Sequence, residues 1–86
     1  MSVNTNQRSD IAEQISAMLG RILAKPDVSP SDDFFDLGGD SLAATELMTA
    51  IEARFGVVVD PVEIYEQPKI RLFAQTITKL AQGAKA

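Results

Sequence analysis

Ser41 closes the run Asp36-Leu37-Gly38-Gly39-Asp40-Ser41-Leu42, in which a hydroxyl follows paired glycines and an acid. The spacing places that hydroxyl in the first turn of a helix beginning after Asp40. Unpaired N–H groups and the positive end of the helix dipole there favour a phosphate esterified to it. Gly38 and Gly39 lift the steric limits on the backbone just before the helix and let another macromolecule approach closely. A plainer reading stands beside this one, in which Asp40 and Ser41 only cap a helix and the glycines only turn the chain. Nucleophilic catalysis by the serine would need a neighbouring base, and the chain has no His, the residue that hydrolytic serines use. It has no Cys, hence no thiol nucleophile, disulfide or thiolate metal site. No catalytic residue and no metal site are expected.

With 86 residues, 45% of them apolar, the elements that position this motif must share one core. A chain that short removes only about 60% of its unfolded surface from water. Ile11, Ile15, Met18, Leu19, Ile22 and Leu23 follow one helical stripe, with Asp10 and Glu13 as a capping box at its start and Pro26 and Pro30 ending it. The connection over 26–40 holds Phe34, Phe35 and Leu37, so at least one of the two phenylalanines anchors it in the core. A second helix runs from Ser41 to Phe55, N-capped by Asp40 and stopped by Gly56. Val57 to Val59 reads as a buried connector. Asp60, Pro61 and Glu63 announce a short third helix ending before Pro68, and Ile70, Phe73, Ile77 and Leu80 describe a fourth running to Gly83. The fold class is therefore all-α: a small four-helix bundle, three longer helices plus one short, with a long loop between helices 1 and 2. Residues 1–8 and 83–86 read as flexible tails around a domain over 9–82.

At about 100° per residue, Ala44, Leu47, Met48, Ile51 and Phe55 form the core face of the second helix. Leu42, Glu46 and Thr49 lie nearly opposite, with Thr45 beside them. Leu42 thus becomes an exposed apolar residue next to Ser41 and reads as a partner contact, with Glu46 supplying polar complementarity.

The net charge is −4, and residues 27–66 hold ten acids against one base, Arg54. That balance argues against binding nucleic acid, which needs a basic face. The acidic stretch reads either as ordinary solvated surface or as a docking face for a basic partner. Apolar stretches fall well short of the roughly 18 to 20 residues of a membrane span, and the start is polar rather than signal-like. A cytoplasmic location and no membrane partner are expected.

The phrase Phe34-Phe35-Asp36-Leu37-Gly38-Gly39-Asp40-Ser41-Leu42, followed by Glu46-Leu47 and by Phe55-Gly56, resembles the carrier proteins of fatty acid, polyketide and nonribosomal peptide synthesis. The resemblance covers about Asp10 to Leu80 and implies an acyl-carrier-protein-like bundle. It implies that Ser41 receives covalent 4′-phosphopantetheine from coenzyme A, with Gly38, Gly39 and Asp40 forming the cofactor-binding motif around it. The protein would then be a non-catalytic carrier, holding aminoacyl, peptidyl or acyl intermediates as thioesters in nonribosomal peptide or polyketide-type natural product biosynthesis. Its implied partners are a phosphopantetheinyl transferase, an adenylating or acyl-transferring enzyme, and condensation, ketosynthase, tailoring or thioesterase enzymes, which it would meet as a monomer. The partner-binding surface would comprise Leu42, Thr45, Glu46 and Thr49, joined by Val62 and Tyr65 from the third helix.

Gly38-Gly39 looks more like peptidyl or aminoacyl carriers than fatty acid carriers, which typically have Gly-Ala there. Multidomain peptidyl carriers often have His in place of Asp40, and the chain begins at Met1, so the motif is nearest to free-standing peptidyl or aminoacyl carriers. Lys69 departs from a family that often caps its last helix with Thr or Ser. Rival readings are a fatty acid or polyketide acyl carrier, and an unmodified acidic helical interaction module. Gly39-Asp40-Ser41-Leu42 also spells the signature of a lipase and esterase family, a reading rejected for want of a His and of room for an alternating strand and helix scaffold.

Overall fold

Ile15 and Leu19, Leu47 and Ile51, and Phe73 and Ile77 are fully buried pairs from three different stretches of chain, and their convergence makes the core. The computed structural model describes residues 7–85. They form α1 (Gln7–Leu23), α2 (Ser41–Phe55), α3 (Val62–Glu66) and α4 (Ile70–Lys85). The bundle expected from apolar periodicity is thus present. α1 lies against both α2 and α4, and the short α3 rests on α4 through Ile64, which is fully buried. Each such large side chain removed from water stabilises the fold by roughly 1.5 to 3 kcal/mol. Gln14 of α1 accepts a hydrogen bond from Arg54 Nε of α2 at 2.7 Å on the outside of that packing. No described helix is long and apolar enough to cross a membrane.

The loop between α1 and α2 is fastened at both ends. Lys25 N–H donates to Gly20 O at 2.8 Å and Ala24 N–H to Arg21 O at 3.4 Å, with Ala24 in the left-handed region at φ 57. This is a Schellman ending, so the chain leaves α1 at Ala24 before either proline acts. Gly20 is required there because a Cβ would stand 2.8 Å from Lys25 O. Further along, the loop supplies the cap that α4 lacks. Ile70 N–H donates to Asp32 O at 3.0 Å and Arg71 N–H to Pro30 O at 2.8 Å, while Phe34 N–H donates to Pro68 O at 2.8 Å. These bonds satisfy first-turn donors that a Thr or Ser side chain would otherwise take. Lys69 therefore needs no capping side chain, and it sits in the one antiparallel bridge among the described residues, opposite Asp33.

Several boundaries differ from the sequence reading. α1 is already helical at Gln7, three residues before the expected cap at Asp10; capping residues express local preference and do not forbid another turn upstream. Residues 1–6 of the expected tail lie outside the described residues. α4 continues past Gly83 to Lys85, since a glycine weakens a helix without stopping it. Val57 and Val59 are buried but Val58 is 78% exposed, so the connector alternates like an extended segment with one wet face. Leu80, at 39%, lies at the edge of the core and not within it. Pro61 has helical dihedrals just ahead of α3, and the Asp60 carboxylate accepts from Val62 N–H at 2.9 Å.

Ala24 holds a left-handed conformation that costs a non-glycine residue roughly 1 to 2 kcal/mol. Ala24→Gly should therefore raise stability by about 1 kcal/mol, a gain of about 4 to 8 °C in Tm for a domain of this size. Thermal unfolding followed by circular dichroism checks it.

Candidate functional site

The segment before Ser41 is a single capped turn. Asp33 Oδ1 accepts from Phe35 N–H at 2.8 Å and Asp36 N–H at 3.2 Å, and Asp33 O accepts from Leu37 N–H at 3.0 Å. The turn closes when Gly38 N–H donates to Phe35 O and Gly39 N–H to Phe34 O, both at 2.9 Å. Gly38, at φ 92, is its left-handed residue. Gly39 has a different task, because a Cβ there would overlap the ring of Phe34, which is fully buried. The glycines thus serve the chain's own packing: one reverses the backbone, and the other lets it cross an aromatic ring. These packing tasks stand beside the expectation that the glycines open the backbone to an approaching macromolecule, and nothing lies within 4 Å of a Cβ at Gly38.

From Gly39 the chain enters α2 directly. Asp40 is extended at φ −138 and ψ −171, and its Oδ1 accepts from Ala43 N–H at 2.9 Å while its carbonyl accepts from Ala44 N–H at 2.9 Å. Its carboxylate is therefore the N-cap. Ser41 is the first helical residue and is exposed. No hydrogen bond to its hydroxyl occurs among the described residues. The N–H groups of Ser41 and Leu42 have no partner within the helix, as helix geometry requires at this end. A phosphate ester at Ser41 Oγ fits such a terminus, since free donors and the helix dipole both favour negative charge there.

Beyond Ser41 the outer stripe of α2 carries Leu42, Thr45, Glu46 and Thr49, all exposed, with Leu42 at 66%. Thr45 Oγ1 donates to Ser41 O at 3.0 Å and Thr49 Oγ1 to Thr45 O at 3.1 Å, so both hydroxyls spend their donors on the helix itself. The opposite face, Ala43, Ala44, Leu47, Met48 and Ile51, is buried, with Phe55 half-buried at the end. From α3, Val62 and Tyr65 are exposed one turn apart. Tyr65 reaches the capped turn through Phe35: the two rings stack with centroids 5.7 Å apart and 12° between planes, and Phe35 meets Phe34 edge-on at 5.2 Å. The core anchor is thus Phe34, and Phe35, 44% exposed, joins the loop to α3 on the surface.

Sequence reasoning placed the helix faces but missed two residues. Phe35 follows Phe34 directly, and the sequence required only that at least one of the pair anchor the loop, which left the surface position of Phe35 and its partner on α3 unread. Asp33 carried a signal in its distance to Gly38-Gly39, one turn's length from an acidic cap to a left-handed ending.

Gly39→Ala forces the Phe34 ring from its buried site and should destabilise the domain by about 2 to 3 kcal/mol. Gly38→Ala, strained in φ with nothing within 4 Å of a Cβ, should destabilise by about 1 kcal/mol. Urea unfolding of the two variants gives the ranking.

Residues 10–77 match the family described as "Phosphopantetheine attachment site". Pyochelin synthetase PchE of Pseudomonas aeruginosa is 39% identical over 82 residues, 85% of this chain and 5% of that protein. The non-reducing polyketide synthase nvfA of Aspergillus novofumigatus is 36% identical over 76 residues, 88% of this chain and 3% of that protein. The chain therefore spans only a few per cent of the length of these relatives. Among solved structures, a chain of the complex of the phosphopantetheine transferase Sfp with coenzyme A and a peptidyl carrier protein superimposes with a TM-score of 0.75. The match covers 92% of this chain and 99% of that one at 22% identity, a likeness of fold. With most of the helical bundle inside the matched region, the chain belongs to the phosphopantetheine attachment site family, whose prosthetic group is 4′-phosphopantetheine from coenzyme A.

Proposed function

We propose that this chain is a non-catalytic carrier of biosynthetic intermediates and that Ser41 Oγ is its attachment atom. The observation that carries the reading is the placement of Ser41: an exposed hydroxyl at the first helical position of α2, directly after a turn pinned to the core through Phe34. In the modification the Ser41 hydroxyl attacks the phosphorus of coenzyme A that bears the pantetheine arm. The Oγ–P bond forms, the bond to the leaving adenosine 3′,5′-diphosphate breaks, and the serine proton passes to a base of the transferase, since this chain has no His to accept it. The attached group supplies the terminal thiol on which acyl or aminoacyl cargo is held as a thioester.

The chain's own residues present and recognise. Asp40 fixes the start of α2, and Gly38 and Gly39 bring it against Phe34, so the ester sits at a rigid point. Leu42, Thr45, Glu46, Thr49, Val62 and Tyr65 form the surface that partner enzymes read, with Phe35 continuing it between the loop and α3. Those partners are the phosphopantetheinyl transferase, an adenylating or acyl-transferring enzyme, and the condensing, tailoring or releasing enzymes of a nonribosomal peptide or polyketide-type pathway. Tethering raises the effective concentration of cargo at each of them. The double glycine and the similarity to pyochelin synthetase favour aminoacyl or peptidyl cargo. The similarity to nvfA supports polyketide acyl cargo as the second reading.

Incubation with coenzyme A and a promiscuous phosphopantetheinyl transferase should add the mass of one phosphopantetheine to the wild-type chain and none to Ser41→Ala. That variant should unfold within about 0.5 kcal/mol of wild type. Loading with candidate adenylating enzymes, ATP and a panel of amino and carboxylic acids, read by intact mass, identifies the cargo. Leu42→Asp should keep its stability to within about 0.5 kcal/mol and lower kcat/KM for transfer between partners about ten-fold. Unfolding of that variant would instead place Leu42 in the core.

A further inference from the structure

Asp33 lies eight positions before Ser41 in the sequence, yet it organises everything in between. Its Oδ1 takes the N–H groups of Phe35 and Asp36, and its carbonyl takes that of Leu37. The turn so started ends on the two closing bonds to Phe34 O and Phe35 O, and Gly39 then passes over the Phe34 ring into Asp40 and Ser41. The chain on either side of Asp33 is held at the entrance of α4, where Phe34 N–H donates to Pro68 O and Ile70 N–H to Asp32 O, the bonds that flank the Asp33–Lys69 bridge. We infer that the Asp33 carboxylate is a positioning residue for modification at Ser41, acting through the capped turn and without touching the incoming group. The inference rests on the attachment reading of Ser41.

The physical effect is one of population. Both carboxylate bonds are on the exposed side of the loop, while the anchors that hold the loop to the core are Phe34, buried, and the backbone bonds to Pro68 and from Ile70. Removing the carboxylate frees two N–H groups and lets the turn open, while the bundle stays closed. A transferase that recognises the ordered turn then meets a smaller competent fraction, and its apparent affinity falls by that fraction. Saturating carrier restores the rate, so the loss appears in KM and leaves kcat alone. An amide at this position keeps an acceptor oxygen in the same place, so Asp33→Asn retains the function although the charge is gone.

The experiment compares wild type, Asp33→Ala, Asp33→Asn and Asp36→Ala, the last removing a charge from the same turn. Amide hydrogen exchange is read at Phe35, Asp36, Gly38 and Gly39, alongside steady-state transfer from coenzyme A as a function of carrier concentration. Asp33→Ala should speed exchange at those amides and raise KM about three- to ten-fold, the size of a lost cap, with kcat unchanged. Asp33→Asn and Asp36→Ala should both stay near wild type. Unchanged exchange or an unchanged KM in Asp33→Ala overturns the role, as does a fall confined to kcat. Loss equal to that of Asp33→Ala in either control would assign the effect to charge. Failure of Asp33→Ala to fold would make the residue a support of the domain. A wild-type chain that accepts no group would overturn the reading of Ser41 and this role with it.

Discussion

Phe34 is where the structure's constraints meet. Its ring is fully buried, its N–H is donated to Pro68 O at the entrance of α4, and its carbonyl accepts from Gly39 N–H. The same ring forbids a side chain at Gly39. One residue therefore fixes the loop to the core, the loop to α4, and the backbone two positions before Ser41. Interiors packed as densely as organic crystals give a buried ring few alternative positions. The exposed end of α2 inherits that rigidity, although Ser41 makes no core contact of its own.

Rigidity at that point matters because the polar side chains around Ser41 are already committed to the helix itself. Asp40 spends its carboxylate on Ala43 N–H, and Thr45 and Thr49 spend their hydroxyls on helix carbonyls. Ser41 Oγ makes no hydrogen bond among the described residues, and the chain contains no His. On the proposed reading, what the surface offers a partner is a shape: an exposed leucine next to the hydroxyl and a stacked Phe35–Tyr65 pair joining the loop to α3. Aromatic and aliphatic anchors inside a polar rim are the usual source of binding energy at protein surfaces, and the charges chiefly guide encounter.

The two faces of α2, its N-cap and its glycine stop were legible in the sequence because each follows from local periodicity or from a residue with one conformational use. Burial of Phe34 was legible only as one choice of two, since adjacent aromatics carry no local sign of which faces inward. Less legible were features set by contacts across the chain. The cap of α4 comes from carbonyls of Pro30 and Asp32, so the absence of Thr or Ser at Lys69 looked like a departure when the donors were already satisfied. The exit from α1 at Ala24 was hidden because a left-handed alanine has no sequence signature. Val58 was placed inside with its neighbours because a run of three valines does not reveal alternation until the strand-like backbone is known.

The separate tasks of Gly38 and Gly39 show why a motif can be recognised long before it is understood. Read as a string, the pair suggests freedom. In the fold, Gly38 spends its freedom on one left-handed dihedral set and Gly39 on missing atoms, and neither leaves the backbone loose. On the reading of Ser41 proposed above, a tethered group profits from this arrangement. If the arm swings, its reach is defined only when its root is fixed, since effective concentration depends on matching the length of the tether to the span between sites. Flexibility in the arm and stiffness at its anchor are therefore complementary demands, and the ring of Phe34 under the backbone of Gly39 meets the second.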